Sequence, residues 1–145
     1  MSTGRRSARR QAVFILYQQD LLGLAVGEAM LRSTEVEIDA YARTLVLGVA
    51  RRLTNIDGLL ARYLAGWNLE RLGILERAIL RVAVYELLEE TDVPGAVVVN
   101  EAVALAKRFC SAEAGSLVNG VLGSLMTVVD GLGDAEVSTR TNEDL

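Results

Sequence analysis

A chain of 145 residues, 51% of them hydrophobic, is long enough for one domain, or for two small lobes sharing a core. Its single proline and scarce aromatics suit helices better than a β-sandwich, the lack of any histidine excludes Ser–His–Asp and Cys–His catalysis and His-ligated metals, and one cysteine makes neither a disulfide framework nor a structural zinc site. The net charge of −4 argues against a nucleic-acid partner until its distribution is read: Arg5, Arg6, Arg9 and Arg10 place +4 in the first ten residues, which leaves −8 for the rest, a basic arm on an acidic body.

The first element is a helix from about Gly4 to Leu22. Ala12, Val13, Leu16, Tyr17 and Leu21 share one broad face at helical spacing, with Gln11, Gln18 and Gln19 opposite. The four arginines project on the apolar side. A core cannot accept them, so the first turns are expected to overhang its edge or fray. Exposed arginines at a helix N-terminus also oppose the macrodipole, at ~0.3–1 kcal/mol each. A locally unfavourable cluster invites a binding role; the plain alternative is a disordered, solubilising tail. Gly23 and Gly27 then loosen the chain before a short helix around Glu28 to Arg32. Thr34 to Glu37 reads as a capping box, which predicts a helix from about Glu35 to Leu53 with a buried stripe of Ile38, Tyr41, Ala42, Leu45, Val49 and Leu53. Asp57 to Leu64 continues helically, and Gly66-Trp67-Asn68 is the next break.

The stretch from Asn68 to Pro94 is apolar at nearly every helical phase. Such a helix belongs at the centre of a domain, with others packed on several sides. Asn68 is placed to cap it, Glu70 suits its first turn, and Pro94 stops it by biasing Val93 away from helical geometry. After Pro94, Val98, Ala102, Leu105, Ala106 and Phe109 predict a helix from Gly95 to Phe109, although Val97 to Val99 imitate a strand. Cys110 to Gly115 reads as a small polar loop, and Ser116 to Val129 as a last helix carrying Leu117, Val118, Val121, Leu122, Leu125 and Val128. From Gly131 onward the chain is polar and acidic, so a disordered tail is expected over 132–145. VFILY is too short for a signal-peptide core, no run reads as membrane-spanning, and the lone cysteine suits a reducing cytoplasm.

No glycine-rich phosphate loop is present, and nothing marks a pair of carboxylates as an acid–base couple. Glu86, amid AVYEL, reads as a salt-bridged or partly exposed carboxylate before a catalytic one. Cys110, beside Phe109 at a helix end, reads as packing before nucleophile. The chain is therefore expected to bind and not to catalyse, with no metal and no cofactor.

Four stretches, in order, carry a family resemblance: RRSARRQAVFILYQQD, LERAILRVAVYEL, DVPGAVVVNEAVALAKRF and LVNGVLG. Together, over Arg5 to Met126, they resemble the transcription antitermination factors of the NusB family. The length resembles the free-standing form and not the module fused to ribosomal RNA cytosine methyltransferases. The resemblance implies an all-α fold of about seven helices, in two small bundles divided near 66–67 and extending to about residue 131. It also implies pairing with NusE, a small-subunit ribosomal protein, and binding of boxA RNA in nascent ribosomal RNA within an RNA polymerase antitermination complex; members of the family also pair with themselves. Arg5, Arg6, Arg9 and Arg10 match the family's RNA-contacting N-terminus. Lys107, Arg108, Glu113 and Asn119 match positions on the side used near RNA, and Tyr17, Glu76 and Arg81 match the NusE-facing side. Leu117 stands where the family often carries an aromatic. The plain readings are that Arg108 complements a helix dipole, Asn119-Gly120 permits close helix packing, Tyr17 is core, and Glu76 and Arg81 are solvated or paired. The alternative function is a non-catalytic, protein-binding helical scaffold with a disordered basic arm. Steep salt dependence of RNA binding would separate the two.

Overall fold

The computed structural model describes residues 2–32, 37–64 and 66–143, with side chains described between Arg5 and Val129. Among the described residues the chain is all-helical: α1 Ser2–Leu22, α2 Val26–Arg32, α3 Ala40–Arg51, α4 Leu53–Tyr63, α5 Ile74–Glu89, α6 Gly95–Phe109 and α7 Ala112–Glu143. α5 lies at the centre and packs against α1, α3, α4, α6 and α7. Its residues from Ala78 to Glu86 are buried apart from Arg81, which is what a helix apolar on most faces requires. α1, α2 and α3 pack together on one side of it, and α6 and α7 pack together on the other. The largest fully buried side chains come from both sides: Leu45, Val46 and Val49 of α3, Ile56 and Leu60 of α4, and Leu122 and Leu125 of α7.

Helix ends follow local chemistry, and several differ from the expected ones. α1 stops at Gly23, whose φ of +65° carries the left-handed turn while Leu24 N–H donates to the Gln19 carbonyl at 3.0 Å. The proposed cap residue Thr34 lies outside the described residues. α3 does not start at Glu35: residues 37–39 are not helical, and Asp39 is the N-cap, its Oδ1 accepting from Tyr41 N–H at 2.8 Å. The cause is long-range. The Gln11 amide donates to the Glu37 carbonyl at 3.1 Å and accepts from Asp39 N–H at 3.0 Å, which ties this segment to α1. Leu53, expected in the stripe of α3, instead begins α4 and is exposed; Arg52 breaks the helix between them and pairs with Glu89 at 3.1 Å.

Asn68 does act as a cap, accepting from Glu70 N–H at 3.0 Å, but of a single 3₁₀ turn, Leu69–Arg71. Leu72 and Gly73 are extended, and α5 starts only at Ile74. α6 has the expected bounds. α7 begins four residues before Ser116, where the Ser111 hydroxyl accepts from Ala114 N–H at 3.0 Å. Its backbone also stays helical through Glu143, across most of the stretch read as a tail, since each added residue extends an existing helix by one hydrogen bond. Residues 112–129 of α7 are apolar and long enough to cross a membrane, yet Ala114, Val118, Val121, Leu122 and Leu125 are buried in the protein core.

Gly48 of α3 lies directly under the Tyr85 ring, so that a Cβ there would overlap the ring carbons. Gly120 meets nothing within 4 Å, so close helix packing does not account for it.

Candidate nucleic-acid interface

α1 runs antiparallel to α5 and parallel to α6, as its side-chain partners show: Arg9 meets Glu86 while Asp20 meets Arg77, and Arg6 meets Glu101 while Phe14 meets Phe109. The basic stretch is therefore helical and docked, not a disordered arm. Its four arginines have four different environments.

Arg9 is the correction to the expectation that no core accepts these side chains. It is buried, its Nε donating to Glu86 Oε1 at 2.6 Å, with side-chain exposures of 6% and 1%. The Tyr41 hydroxyl donates to the other carboxylate oxygen at 2.9 Å. A buried charge is tolerated when it is paired and its remaining acceptors are satisfied, and this trio meets both conditions. Burial alone would lower the Arg9 pKa, but the Glu86 hydrogen bond and charge outweigh it and hold the guanidinium charged. Burial, then the charge and hydrogen bond of Glu86, push the Tyr41 phenol well above its ordinary value. The plain reading of Glu86 as salt-bridged is the observed one.

Arg5 lies over the Tyr41 ring at 4.7 Å and donates to Asp92 at 3.1 Å, a hydrogen bond that raises its pKa. Arg6 reaches both oxygens of Glu101, at 3.1 and 3.2 Å from Nε. Arg10 is exposed and has no ion pair among the described residues. It lines an open groove of about 450 Å³ beside Phe14, Gln18 and Asp39.

Phe14, one helical turn after Arg10, packs edge-on against Phe109 with ring centroids 5.1 Å apart. Arg108 lies over the Phe109 ring, 5.0 Å from its centroid. The aromatic pair thus joins the cations of α1 to the basic end of α6. The Lys107 stem covers Gly115, which sets the first turns of α7, with exposed Glu113, beside that end. Asn119 is exposed, with no hydrogen bond among the described residues; no contact ties it to the arginines. Leu117 is half-buried against the core.

The second group of candidates gathers where the C-terminal half of α1 meets the start of α5. Tyr17 is half-buried and edge-on to Phe14 at 6.5 Å. Glu76 folds back toward Gly73 in the first turn of α5, and its charge adds to burial in raising the Cys110 thiol pKa. Arg81 is paired, as its plain reading had it: both its Nε and Nη2 reach Asp57, at 2.9 and 3.0 Å, with Asp20 at 3.4 Å. Asp20 also takes Arg77 at 2.9 Å.

Sequence reasoning missed Asp92, Glu101 and Phe14. The acids lie 87 and 95 residues from their arginines, and no local spacing announces such pairs. Phe14 had a signal, an aromatic one turn beyond Arg10, but was left off the apolar face. Among the described residues no group of side chains suited to hold a metal occurs.

An all-helical bundle with a basic, aromatic-bridged face has the features of a nucleic-acid-binding module. The NusB family model matches residues 6–127. The chain is similar to the transcription antitermination protein NusB of Symbiobacterium thermophilum, 41% identical over 145 residues and covering 91% of this chain and 95% of the relative. It is likewise similar to that of Rubrobacter xylanophilus, 43% identical over 136 residues, covering 91% and 97%. A crystal structure of the antitermination factors NusB and NusE in complex with double-stranded RNA superposes with a TM-score of 0.80 at 31% identity, covering 88% of this chain and 99% of that one. The chain belongs to the NusB family.

Proposed function

We propose that this protein is a transcription antitermination factor that binds boxA RNA of nascent ribosomal RNA together with NusE, in the cytoplasm and without catalysis of its own. Family membership over nearly the whole chain supports the activity, and the solved complex with NusE and RNA supports the partners. The observation that carries the reading to particular residues is the face of α1 on which Arg5, Arg6 and Arg10 reach solvent while Arg9 is locked inside. Guanidinium groups there neutralise phosphates and release counterions, which gives affinity without sequence information. The Phe14–Phe109 pair and the Gln18 amide beside Arg10 offer a ring surface and hydrogen-bonding groups to unstacked bases, the means by which single-stranded RNA is read. Lys107 and Arg108 extend the cationic track; Glu113 and exposed Asn119-Gly120 lie on α7 beyond it. Tyr17 and Glu76 serve the NusE-facing side, where Arg81 acts chiefly by holding α1, α4 and α5 together through Asp20 and Asp57.

The test is RNA binding by fluorescence anisotropy, with boxA and scrambled RNA, with and without NusE, at two salt concentrations. Preferential boxA binding that tightens with NusE and weakens with Arg6→Ala and Arg10→Ala is expected. Equal, weak binding to both RNAs in the presence of NusE would overturn the reading.

A further inference from the structure

The cations of the α1 face are graded in availability. Arg10 is unpaired among the described residues, and Arg9 is buried with Glu86. Between these extremes, Arg5 and Arg6 are paired in the open: the side chains of Arg5 and Asp92 are 41% and 66% exposed, and that of Arg6 is 73% exposed. Glu101, by contrast, is only 18% exposed and is fixed on α6, so it stays in place whatever Arg6 does. An ion pair in water is held weakly, because solvent screens it and two long side chains must be ordered to make it. A phosphate can therefore take either arginine. The carboxylate it displaces remains within a few ångströms, well inside the Debye length of about 8–10 Å, so salt weakens only part of its repulsion toward the same phosphate.

We propose that Asp92 and Glu101 are specificity-determining residues for RNA, acting as built-in counter-anions that suppress sequence-independent binding. The proposal rests on the reading of this face as the RNA surface. An RNA that offers only phosphates must displace two carboxylates and leave them beside its own backbone. An RNA that also places bases on the Phe14–Phe109 side has further contacts to offset that repulsion. The same acids reduce the net counterion release per contact, since a freed carboxylate recovers a cation as the phosphate loses one. The acidic net charge of the chain is then in part a device of this surface and not merely a solubilising average.

The experiment is the affinity of native protein, Asp92→Asn/Glu101→Gln and Glu28→Gln/Glu70→Gln for scrambled and boxA single-stranded RNA across a salt series, with thermal melting as the check on folding. The second double variant removes the same charge from exposed positions outside the cluster. Each phosphate contact on a single strand contributes about 0.7 to the slope of log K against log salt. Asp92→Asn/Glu101→Gln is expected to bind scrambled RNA about 5- to 20-fold more tightly at low salt and to steepen the slope by about 0.7–1.4, while the control changes affinity less than about 2-fold. Unchanged affinity and slope in the cluster variant, with Arg5→Ala/Arg6→Ala still losing RNA, would overturn the proposal and leave the RNA surface standing. An equal gain in the control would also overturn it, by assigning the effect to net charge. If Arg5→Ala/Arg6→Ala loses no RNA, the surface itself is wrongly placed and the proposal falls with it.

Discussion

Removing Arg9 separates its structural role from a direct role in RNA binding. Arg9→Met keeps the stem and deletes the charge, leaving a carboxylate of 1% exposure with the Tyr41 hydroxyl as its remaining donor. Breaking a buried pair from one side costs about 3–5 kcal/mol, because the other charge stays in the core uncompensated. Glu86→Leu strands the Arg9 guanidinium in the same way and at a similar cost. At about 2–4 °C per kcal/mol for a chain of this size, either change lowers the melting temperature by roughly 6–20 °C. Arg9→Met/Glu86→Leu removes both charges and leaves the Tyr41 hydroxyl without its acceptor, about 1–3 kcal/mol. Adding Tyr41→Phe returns the protein to within about 2 kcal/mol of native. The assay is urea unfolding followed by far-ultraviolet circular dichroism. A loss below about 1 kcal/mol for either single change, or costs that simply add in the double variant, would refute the account of this network. Below its melting transition, Arg9→Met is expected to bind RNA like the native protein; a loss as large as that of Arg6→Ala would mean that Arg9 leaves the core to meet phosphate.

Three further outcomes follow from the same packing. Tyr41 is more easily kept neutral in the fold than in the unfolded chain, so its contribution is intact below about pH 10 and is lost as pH rises toward its raised pKa; Tyr41→Phe should lose about 1.5–3 kcal/mol near neutral pH and reduce the alkaline fall in urea stability between pH 9 and pH 11 to the parts carried by Tyr85 and Cys110, whose pKa values burial also raises. Gly48→Ala drives a methyl into the Tyr85 ring and should cost ~1–3 kcal/mol or more by thermal melting. Gly120→Ala enters open space on α7 and should stabilise by up to ~1 kcal/mol, while weakening boxA binding in the anisotropy assay if that glycine admits a close approach of RNA.

How far the residues alone disclosed this molecule depended on the range of the interaction that decides each feature. α6 has its expected limits because Pro94 and a regular apolar spacing are both local. α5 has its expected central place because apolar residues at every phase admit no other. The start of α3 was misread because the deciding hydrogen bonds come from Gln11, 26 and 28 residues earlier, and favour Asp39 over Thr34 as the limit. The basic cluster was legible as a cluster, but its internal order was not. Helical spacing puts all four arginines on the apolar side, the cost of burying charge assigns them all to its edge, and only the partner at Glu86, 77 residues away, reveals that one of the four belongs inside. For Gly120 the sequence left two readings, an RNA-side position or close helix packing, and the open space around it removes the second.

The position of α5 also bears on how the fold opens. Helices on both sides bury their apolar stripes against it, so its own amides can reach solvent only when both sides let go. Hydrogen–deuterium exchange along α5 should then track global unfolding, while α2, with only Ala29 and Met30 buried, exchanges through a local opening. The two faces of the molecule share one cooperative axis, and tightening contacts on either raises protection along the helix common to both.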